Sequence, residues 1–291
     1  ASKFISENFD LATDIYYVAA GLSLLCCTAS IFLIRKANTS PINYGLVLIV
    51  LAASPSVIDF TTSGLENPLS YLLFAAFFLL LAMHTEQKLT RKTLPLLLLT
   101  TGLAPLVRHD LAILIWPATA LTLFQQRKIL CWRNTLLWLA IAALPLLLWT
   151  VFSLIYYGLP FPNTAYAKLN TGIAQAMLTK SGLIYLWVSG RDDPIAAALV
   201  AAAVIAGLWR GGIYRWVAIG LLAHLAYIVH VGGDFMRGRF WSTDVVASAI
   251  MLGHQCGLVA RPVIAAVASA ALCVLLWSPF SPVFPTDAFS S

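Results

Sequence analysis

Residues 135–156 read TLLWLAIAALPLLLWTVFSLIY, which is twenty-two consecutive positions without a charged side chain. A helix crosses the hydrocarbon core of a bilayer with about 20 apolar residues, so this stretch predicts a transmembrane helix. The whole chain has 291 residues, of which 60% are hydrophobic and 10% charged, and its mean hydropathy is +0.85. Soluble domains carry roughly 25% charged residues. The composition excludes ordinary soluble and disordered proteins and predicts an all-α, polytopic transmembrane helical bundle.

Further apolar runs lie on both sides of this stretch and bring the total to nine or ten hydrophobic segments. The longest polar stretch, from 157 to about 194, separates the two groups of spans. We assign residues 1–278 to one transmembrane domain and residues 279–291 to an extracytoplasmic C-terminal tail. The other predicted spans are residues 11–34, 44–59 (interrupted by Pro55), 68–84, 94–107, 111–124, 195–209, 216–231, 241–257 and 262–278.

The charges sort between the two faces that these spans define. Alternate crossings place eleven of the eighteen basic residues on one face together with a single acid, Glu86. The opposite face holds the other seven basic residues and eleven of the twelve acids. By the positive-inside rule the first face is cytoplasmic. In a membrane protein the sidedness of charge matters more than its total, so the net charge of +6 does not by itself indicate nucleic acid. We expect membrane lipids, and no nucleic acid, as partners.

Polar residues on the outward face are grouped into five compact clusters of mixed charge. Charges near membrane depth are costly and tend to be functional, so the clusters predict a site at the outer boundary of the bilayer. Loop ends solvated at the interface are the alternative explanation. The clusters are 59–66, 108–110, 156–168, 191–193 and 232–239.

The segment Gly232-Gly-Asp-Phe-Met-Arg-Gly-Arg239 is the most informative cluster. Its paired glycines permit positive φ angles after a span, and Gly238 allows the two arginines to bend toward one target. Guanidinium groups bind phosphate through paired hydrogen bonds, which favours either a bulk headgroup or a bound polyprenyl-phosphate donor for Arg237 and Arg239. Asp234 caps the following turn or orients a sugar hydroxyl or a metal ion.

Two other clusters offer further candidates. In 156–168, Pro160 and Pro162 end a span, and the sequence from Asn163 predicts a short interfacial helix. Lys168 in this segment is a second candidate for a phosphate, and Tyr157 is either a belt aromatic or a platform for a sugar. In 59–66, Glu66 either stabilises the following helix N-terminus or, with Asp59 nearby, binds the acceptor or acts as an acid or base.

Taken together, four motifs resemble a known family. They are Ser63-Gly-Leu-Glu66, Arg108-His-Asp110, Tyr156-Tyr-Gly…Pro-Asn-Thr…Ala-Lys168 and Gly232-Gly-Asp-Phe-Met-Arg-Gly-Arg-Phe240, in this order. The chain looks like the polytopic GT-C glycosyltransferases related to the terminal arabinofuranosyltransferases of bacterial cell walls, over about residues 11–278. The family tends to have Arg-Pro-Asp where this chain has Arg108-His109-Asp110. The last two motifs are the more specific in combination.

The resemblance implies transfer of a sugar from a polyprenyl-phosphate donor to an envelope glycan, lipid or protein, on the periplasmic side of the inner membrane. It also implies an acidic catalytic residue, often an Asp-Asp pair, in a first extracytoplasmic loop. No such pair lies between Ala1 and Leu11. We therefore expect either that the family's N-terminal span and its main catalytic acid precede Ala1, which would leave the fragment itself inactive, or that another carboxylate serves.

The candidate roles follow from this implied activity. Arg108, Lys168, Arg237 and Arg239 are candidates for the donor phosphate, and Asp59, Tyr157 and Asn163 for other contacts with substrate. Glu66, Asp110 and Asp234 are the candidate catalytic carboxylates. A divalent cation (Mg²⁺ or Mn²⁺) is compatible with carboxylates and phosphate, but no ligand spacing requires a metal site. His224 and His230 are interpreted as packed core histidines.

Two other classes of protein fit the same pattern. A transporter or flippase of a lipid-linked sugar also needs arginines on the outer face and broken helices. Transporters commonly contain inverted repeats with matching interruptions, and no such repeat is evident in this sequence. A noncatalytic membrane scaffold is the third possibility.

Overall fold

The computed structural model describes residues 11–38, 40–85, 93–127, 132–160 and 172–255. Within these ranges the chain forms eleven α-helices and no β-strand, which confirms the all-α prediction. The helices are α1 (Leu11–Ala37), α2 (Pro41–Ala53), α3 (Pro55–Asp59), α4 (Asn67–Thr85), α5 (Thr93–Val107), α6 (Leu111–Gln126), α7 (Trp132–Tyr157), α8 (Gln175–Asp192), α9 (Pro194–Arg210), α10 (Gly212–Val231) and α11 (Arg239–Gln255).

Several of these helices have the length and composition of membrane spans. Residues Ile15–Ala37, Trp132–Tyr157 and Gly212–Val231 are long and apolar enough to cross a bilayer alone. The pair α8 and α9 makes a fourth candidate, although the two helices meet at an angle of 111°. Helices α2, α4, α5 and α6 are apolar but shorter. The chain is therefore a polytopic membrane protein.

One prediction is confirmed and one boundary was wrong. The interruption predicted at Pro55 in the span 44–59 divides it into α2 and α3, because Pro55 has no N–H to continue the first helix and instead begins the second. The predicted polar stretch 157–194 contains the eighteen-residue helix α8. Hydropathy did not predict this helix because Lys180 and Arg191 lower the hydropathy of the segment. The predicted span 262–278 and the tail 279–291 lie outside the described residues.

Helix α11 is the centre of the bundle. Every residue from Phe240 to Met251 is buried, and the helix packs against α2, α3, α4 and α9. A helix that is buried on all faces is normally apolar all round, yet this one carries Asp244, whose exposed fraction is 0%. A charged residue at the centre of the bundle needs partners of its own.

Clusters predicted for one face meet at one end of the bundle, which we call the charged end and define by residues 54–66, 108–110, 191–193 and 232–239. Helix α8 lies against this end. The Gln175 side chain donates to the carbonyl of His230 (2.9 Å), and the Ser181 hydroxyl donates to that of Gly232 (3.1 Å). Four of the five predicted clusters therefore converge; most of the fifth, 156–168, lies outside the described residues.

Candidate functional site

A partly exposed ion pair, Glu66–Arg239, marks the charged end and is called the rim pair. Glu66 immediately precedes α4, and Arg239 is the first residue of α11. Arg239 donates from Nη2 and Nε to Oε1 of Glu66 at 2.8 and 3.2 Å. Its Nη1 donates to Oδ2 of Asp234 at 3.2 Å. The side chains of Arg239 and Glu66 are 24% and 23% exposed, whereas that of Asp234 is 1% exposed, so Asp234 supports the pair from beneath.

Glycines set the path of the loop that presents Arg239. Gly233 and Gly238 have φ angles of +77° and +78°, a region that other residues rarely adopt. A Cβ on Gly233 would also lie 2.6 Å from the Cβ of Tyr185. The positive φ angles expected at these glycines are present, but the expectation that the bend turns both arginines toward one target is wrong, since Arg239 pairs with Glu66 and Arg237 with Asp192.

Arg237 and Arg239 do not share a target in this structure. Arg237 has a side chain that is 73% exposed, and its Nη1 lies 3.3 Å from Oδ2 of Asp192. Asp192 also accepts hydrogen bonds from Arg191. The structure therefore separates Arg237, at the surface, from the rim pair.

Below the rim pair lies a run of four hydrogen-bonded side chains, Arg108, Asp110, His224 and Asp244, which we call the buried chain. Arg108 donates to both carboxylate oxygens of Asp110 in a paired arrangement. The guanidinium carbon of Arg108 is 4.5 Å from the centre of the Phe240 ring. Arg108 Nε is 3.9 Å from Oε1 of Glu66, so the buried chain ends next to the rim pair.

The inner half of the buried chain was missed by sequence reasoning. His224 Nε2 lies 2.9 Å from Oδ2 of Asp110, and His224 Nδ1 lies 2.9 and 3.0 Å from the two carboxylate oxygens of Asp244. Both His224 and Asp244 are completely buried. The interpretation of His224 as a core histidine is right about its burial but overlooks its partners. Ionisable residues within two apolar helices were the signal that could have found them.

Asp110 is held in its ionised form by its neighbours. Burial raises the pKa of this carboxyl, but the adjacent Arg108 and the hydrogen bond from His224 lower it further, so the net pKa is well below the ordinary value. An aspartate with so low a pKa is a weak base. Asp110 is therefore suited to holding Arg108 in place.

The remaining candidates lie apart from the rim pair or outside the described residues. Tyr157 is 56% exposed and lies in an aromatic group with Phe152 and Tyr156 on α7. Asp59 is exposed at the end of α3; partial burial and the nearby charge of Asp193 raise its pKa.

Three further predictions fall on parts of the chain that the structure does not describe. Asn163 and Lys168 lie outside the described residues, and so does Ala1 with the rest of the segment before Leu11. A main catalytic acid upstream of Ala1 therefore stays a prediction. Of the candidate catalytic carboxylates, Glu66 and Asp234 accept hydrogen bonds from Arg239, and Asp110 accepts them from Arg108.

No metal site is evident in the part of the chain that the structure describes, where no group of three or more His, Cys, Asp and Glu side chains is arranged to hold an ion. The acidic groups nearest the rim pair are instead occupied by arginine, since Glu66 and Asp234 both accept from Arg239. The divalent cation thus stays a prediction.

Comparison with known proteins gives one informative match. No protein-family model matches the chain, and no solved structure is significantly similar to it. A terminal β-(1→2)-arabinofuranosyltransferase of Corynebacterium glutamicum is 28% identical over 269 aligned positions, which cover 76% of this chain and 38% of the relative. The chain thus spans less than half of the relative's length. The resemblance predicted from the four motifs is confirmed: this polytopic protein is similar in sequence to a terminal arabinofuranosyltransferase, which is a glycosyltransferase.

Proposed function

We propose that the protein transfers a sugar from a polyprenyl-phosphate donor to an acceptor in the cell envelope, at the outward face of the inner membrane. The observation that carries this proposal is the rim pair, a partly exposed arginine and carboxylate at the end of a helical bundle, in a chain similar to an arabinofuranosyltransferase. Arabinofuranose is therefore the first sugar to test, and an envelope glycan the first acceptor. Proteins and lipids of the envelope are the other acceptor classes.

Arg239 is the proposed ligand of the donor phosphate. Its guanidinium is about a quarter exposed and is already oriented by Glu66 and Asp234. A guanidinium matches phosphate through two parallel hydrogen bonds. When the bond between the sugar and the phosphate breaks, negative charge grows on the leaving phosphate, and a fixed cation stabilises that charge without reorganisation. Arg108, buried against Phe240, would act mainly through Arg239 and Glu66.

Glu66 is the proposed general base. Both hydrogen bonds from Arg239 end on Oε1 of Glu66, which leaves Oε2 for an incoming acceptor hydroxyl. The acceptor proton would pass to Glu66 as the acceptor oxygen bonds to the anomeric carbon. The bond from that carbon to the phosphate oxygen breaks, and its electron pair leaves with the polyprenyl phosphate. A divalent cation, if used, would require Glu66 or Asp234 to exchange Arg239 for the metal.

The proposal is tested with the chain in nanodiscs, a radiolabelled polyprenyl-phosphate arabinofuranose and a short oligo-arabinofuranoside acceptor. We expect labelled glycan and released polyprenyl phosphate in equal amounts. Glu66→Gln removes the base and should lower kcat by about 10² to 10⁴, and Arg239→Ala should raise KM for the donor. Arg191→Ala, which removes an exposed arginine that is also paired with an aspartate, is the matched control and should leave both constants unchanged.

The main alternative, movement of a lipid-linked sugar across the bilayer, predicts a different product. In sealed proteoliposomes a transporter would bring intact labelled donor to the opposite leaflet without releasing polyprenyl phosphate. That result, or transfer that is unaffected by Glu66→Gln and Arg239→Ala, would contradict the proposed function. The same assay at high chelator concentration tests the divalent cation.

A further inference from the structure

The buried chain joins three parts of the fold beneath the rim pair. Arg108 and Asp110 belong to the turn between α5 and α6, His224 to α10 and Asp244 to α11. We propose that His224 is an imidazolium bonded on both sides by carboxylates, and that it is a positioning residue for the donor site. The charge state of His224 is independent of the proposed function, whereas the positioning role rests on it.

The distances on the two sides of the ring lead to the charge state. A neutral imidazole carries one N–H and one lone pair, so one of its nitrogens would turn a lone pair toward a carboxylate. Asp110 already accepts two bonds from Arg108 and is a carboxylate, so Nε2 of His224 must donate to it. The remaining question is which atom holds the proton between Nδ1 and Asp244.

Two observations place that proton on His224. Nδ1 lies nearly midway between the two oxygens of Asp244, at 2.9 and 3.0 Å, which suits one N–H shared by a carboxylate better than one O–H aimed at a nitrogen. Imidazole is also the stronger base of the two groups in water.

Charge balance requires that His224 or Asp244 hold this proton, and the position of Nδ1 between the two oxygens of Asp244 then assigns it to His224. With an imidazolium, the buried chain contains two cations and two anions and is neutral. With a neutral imidazole and two carboxylates it would hold an excess negative charge among groups that are at least 93% buried, since their exposed fractions are 7% or less. Uncompensated charge at such a depth is strongly unfavourable.

The buried chain also fixes where Arg108 lies relative to Arg239. Arg108 Nη1 is 3.4 Å from the carbonyl oxygen of Arg239, and Asp244 lies on the same helix as Arg239. His224 thus ties the turn that carries Arg108 to the helix that begins with Arg239. The position of Arg239, the proposed ligand of the donor phosphate, therefore depends on His224, and misplacement of a binding group by about 1 Å costs on the order of a hundredfold.

The charge state is tested by NMR of protein with ¹⁵N-labelled histidine rings in nanodiscs, with His224→Gln used to assign the signal. We expect both ring nitrogens of His224 to carry protons at neutral pH. An unprotonated Nδ1 in the wild type would overturn the assignment. This measurement needs no substrate, so it tests the charge state of His224 even if the chain shows no transferase activity.

The positioning role is tested by kinetics on folded, size-selected protein with the labelled polyprenyl-phosphate donor. His224→Gln should raise KM for the donor about 10-fold to 100-fold and leave KM for the acceptor unchanged. The double variant His224→Gln/Asp244→Asn removes one charge of each sign and should recover most of the loss. A fall in kcat alone, with both KM values unchanged, would indicate a merely structural role and would overturn the proposal, as would a double variant no better than the single one.

Discussion

The rim pair and the buried chain place the same kinds of side chain in opposite environments, less than 4 Å apart. Arg239 and Glu66 are 24% and 23% exposed, whereas the side chains of Arg108 and Asp110 are 6% and 7% exposed. A partly exposed ion pair is worth little to stability, and its members are free to exchange partners. A buried pair is costly to break. The two layers therefore separate the groups available to a substrate from the groups that hold them.

The largest effect on stability is expected from Asp110→Asn. The change leaves the buried cations Arg108 and His224 without the carboxylate between them, and breaking a buried pair in this way costs about 3 to 5 kcal/mol. Unfolding of the variant in detergent, measured against wild type, checks this value. Glu66→Gln, in the exposed layer, should lose less than about 1 kcal/mol, and equal losses in the two variants would contradict the division into layers.

The pH dependence of the unfolding free energy gives a control for the Asp110→Asn variant. Because the pKa of Asp110 is below its ordinary value of 3.8, its stabilising contribution is present above that value and is lost as pH falls toward the folded-state pKa. The difference in unfolding free energy between wild type and Asp110→Asn should therefore narrow on acidification below about pH 4. A difference that stays constant would show that the variant acts by another mechanism.

The sequence predicts the rim pair and the outer half of the buried chain, but not the inner half, His224 and Asp244. Glu66, Arg108, Asp110, Asp234 and Arg239 stand in short polar motifs between apolar runs, and the alternation of spans is sufficient to bring these motifs to one end. Their buried partners, His224 and Asp244, are not predicted in this way. Asp244 lies inside an apolar helix, 134 positions from Asp110 in the sequence, and only the packing of α10 against α6 and α11 brings His224 between the two carboxylates.

Helix α8 shows a second limit of sequence reasoning. Its residues have a lower apolar content than a typical span, and low hydropathy alone does not distinguish a polar helix from a polar loop. Its position depends on Gly182, where a Cβ would lie 2.5 Å from the backbone of Val229. Such close approaches between helices depend on the partner's backbone, which a local pattern does not specify.

A smaller loss of stability is expected from a substitution at Gly233, in the loop that leads to the two arginines. Gly233→Ala puts a Cβ at φ +77°, 2.6 Å from Tyr185, so both strain and overlap oppose it. We expect a loss of at least about 2 kcal/mol and weaker transfer, because the loop leads to Arg239. Gly212→Ala is the matched control: its φ is +58° with no described atom within 4 Å of the new Cβ, so only strain of about 1 kcal/mol applies. Equal losses in the two variants would show that contact with Tyr185 is unimportant.

The smallest effect is expected from Arg237→Ala, which distinguishes the two arginines of one motif. The sequence favours both as ligands of the donor phosphate, but Arg237 is 73% exposed and is paired at 3.3 Å with Asp192, a residue that is also paired with Arg191. An exposed pair of this kind contributes about 0.2 to 1 kcal/mol, so KM for the donor should change less than about fivefold, against a much larger change for Arg239→Ala. If the two variants weaken donor binding equally, the phosphate site extends from the rim pair to Arg237, and the boundary between the site and the solvated surface lies beyond Asp192. If Arg237→Ala alone weakens binding, the rim pair is not the phosphate site, and its exposed arginine serves only to hold Glu66 against the buried chain.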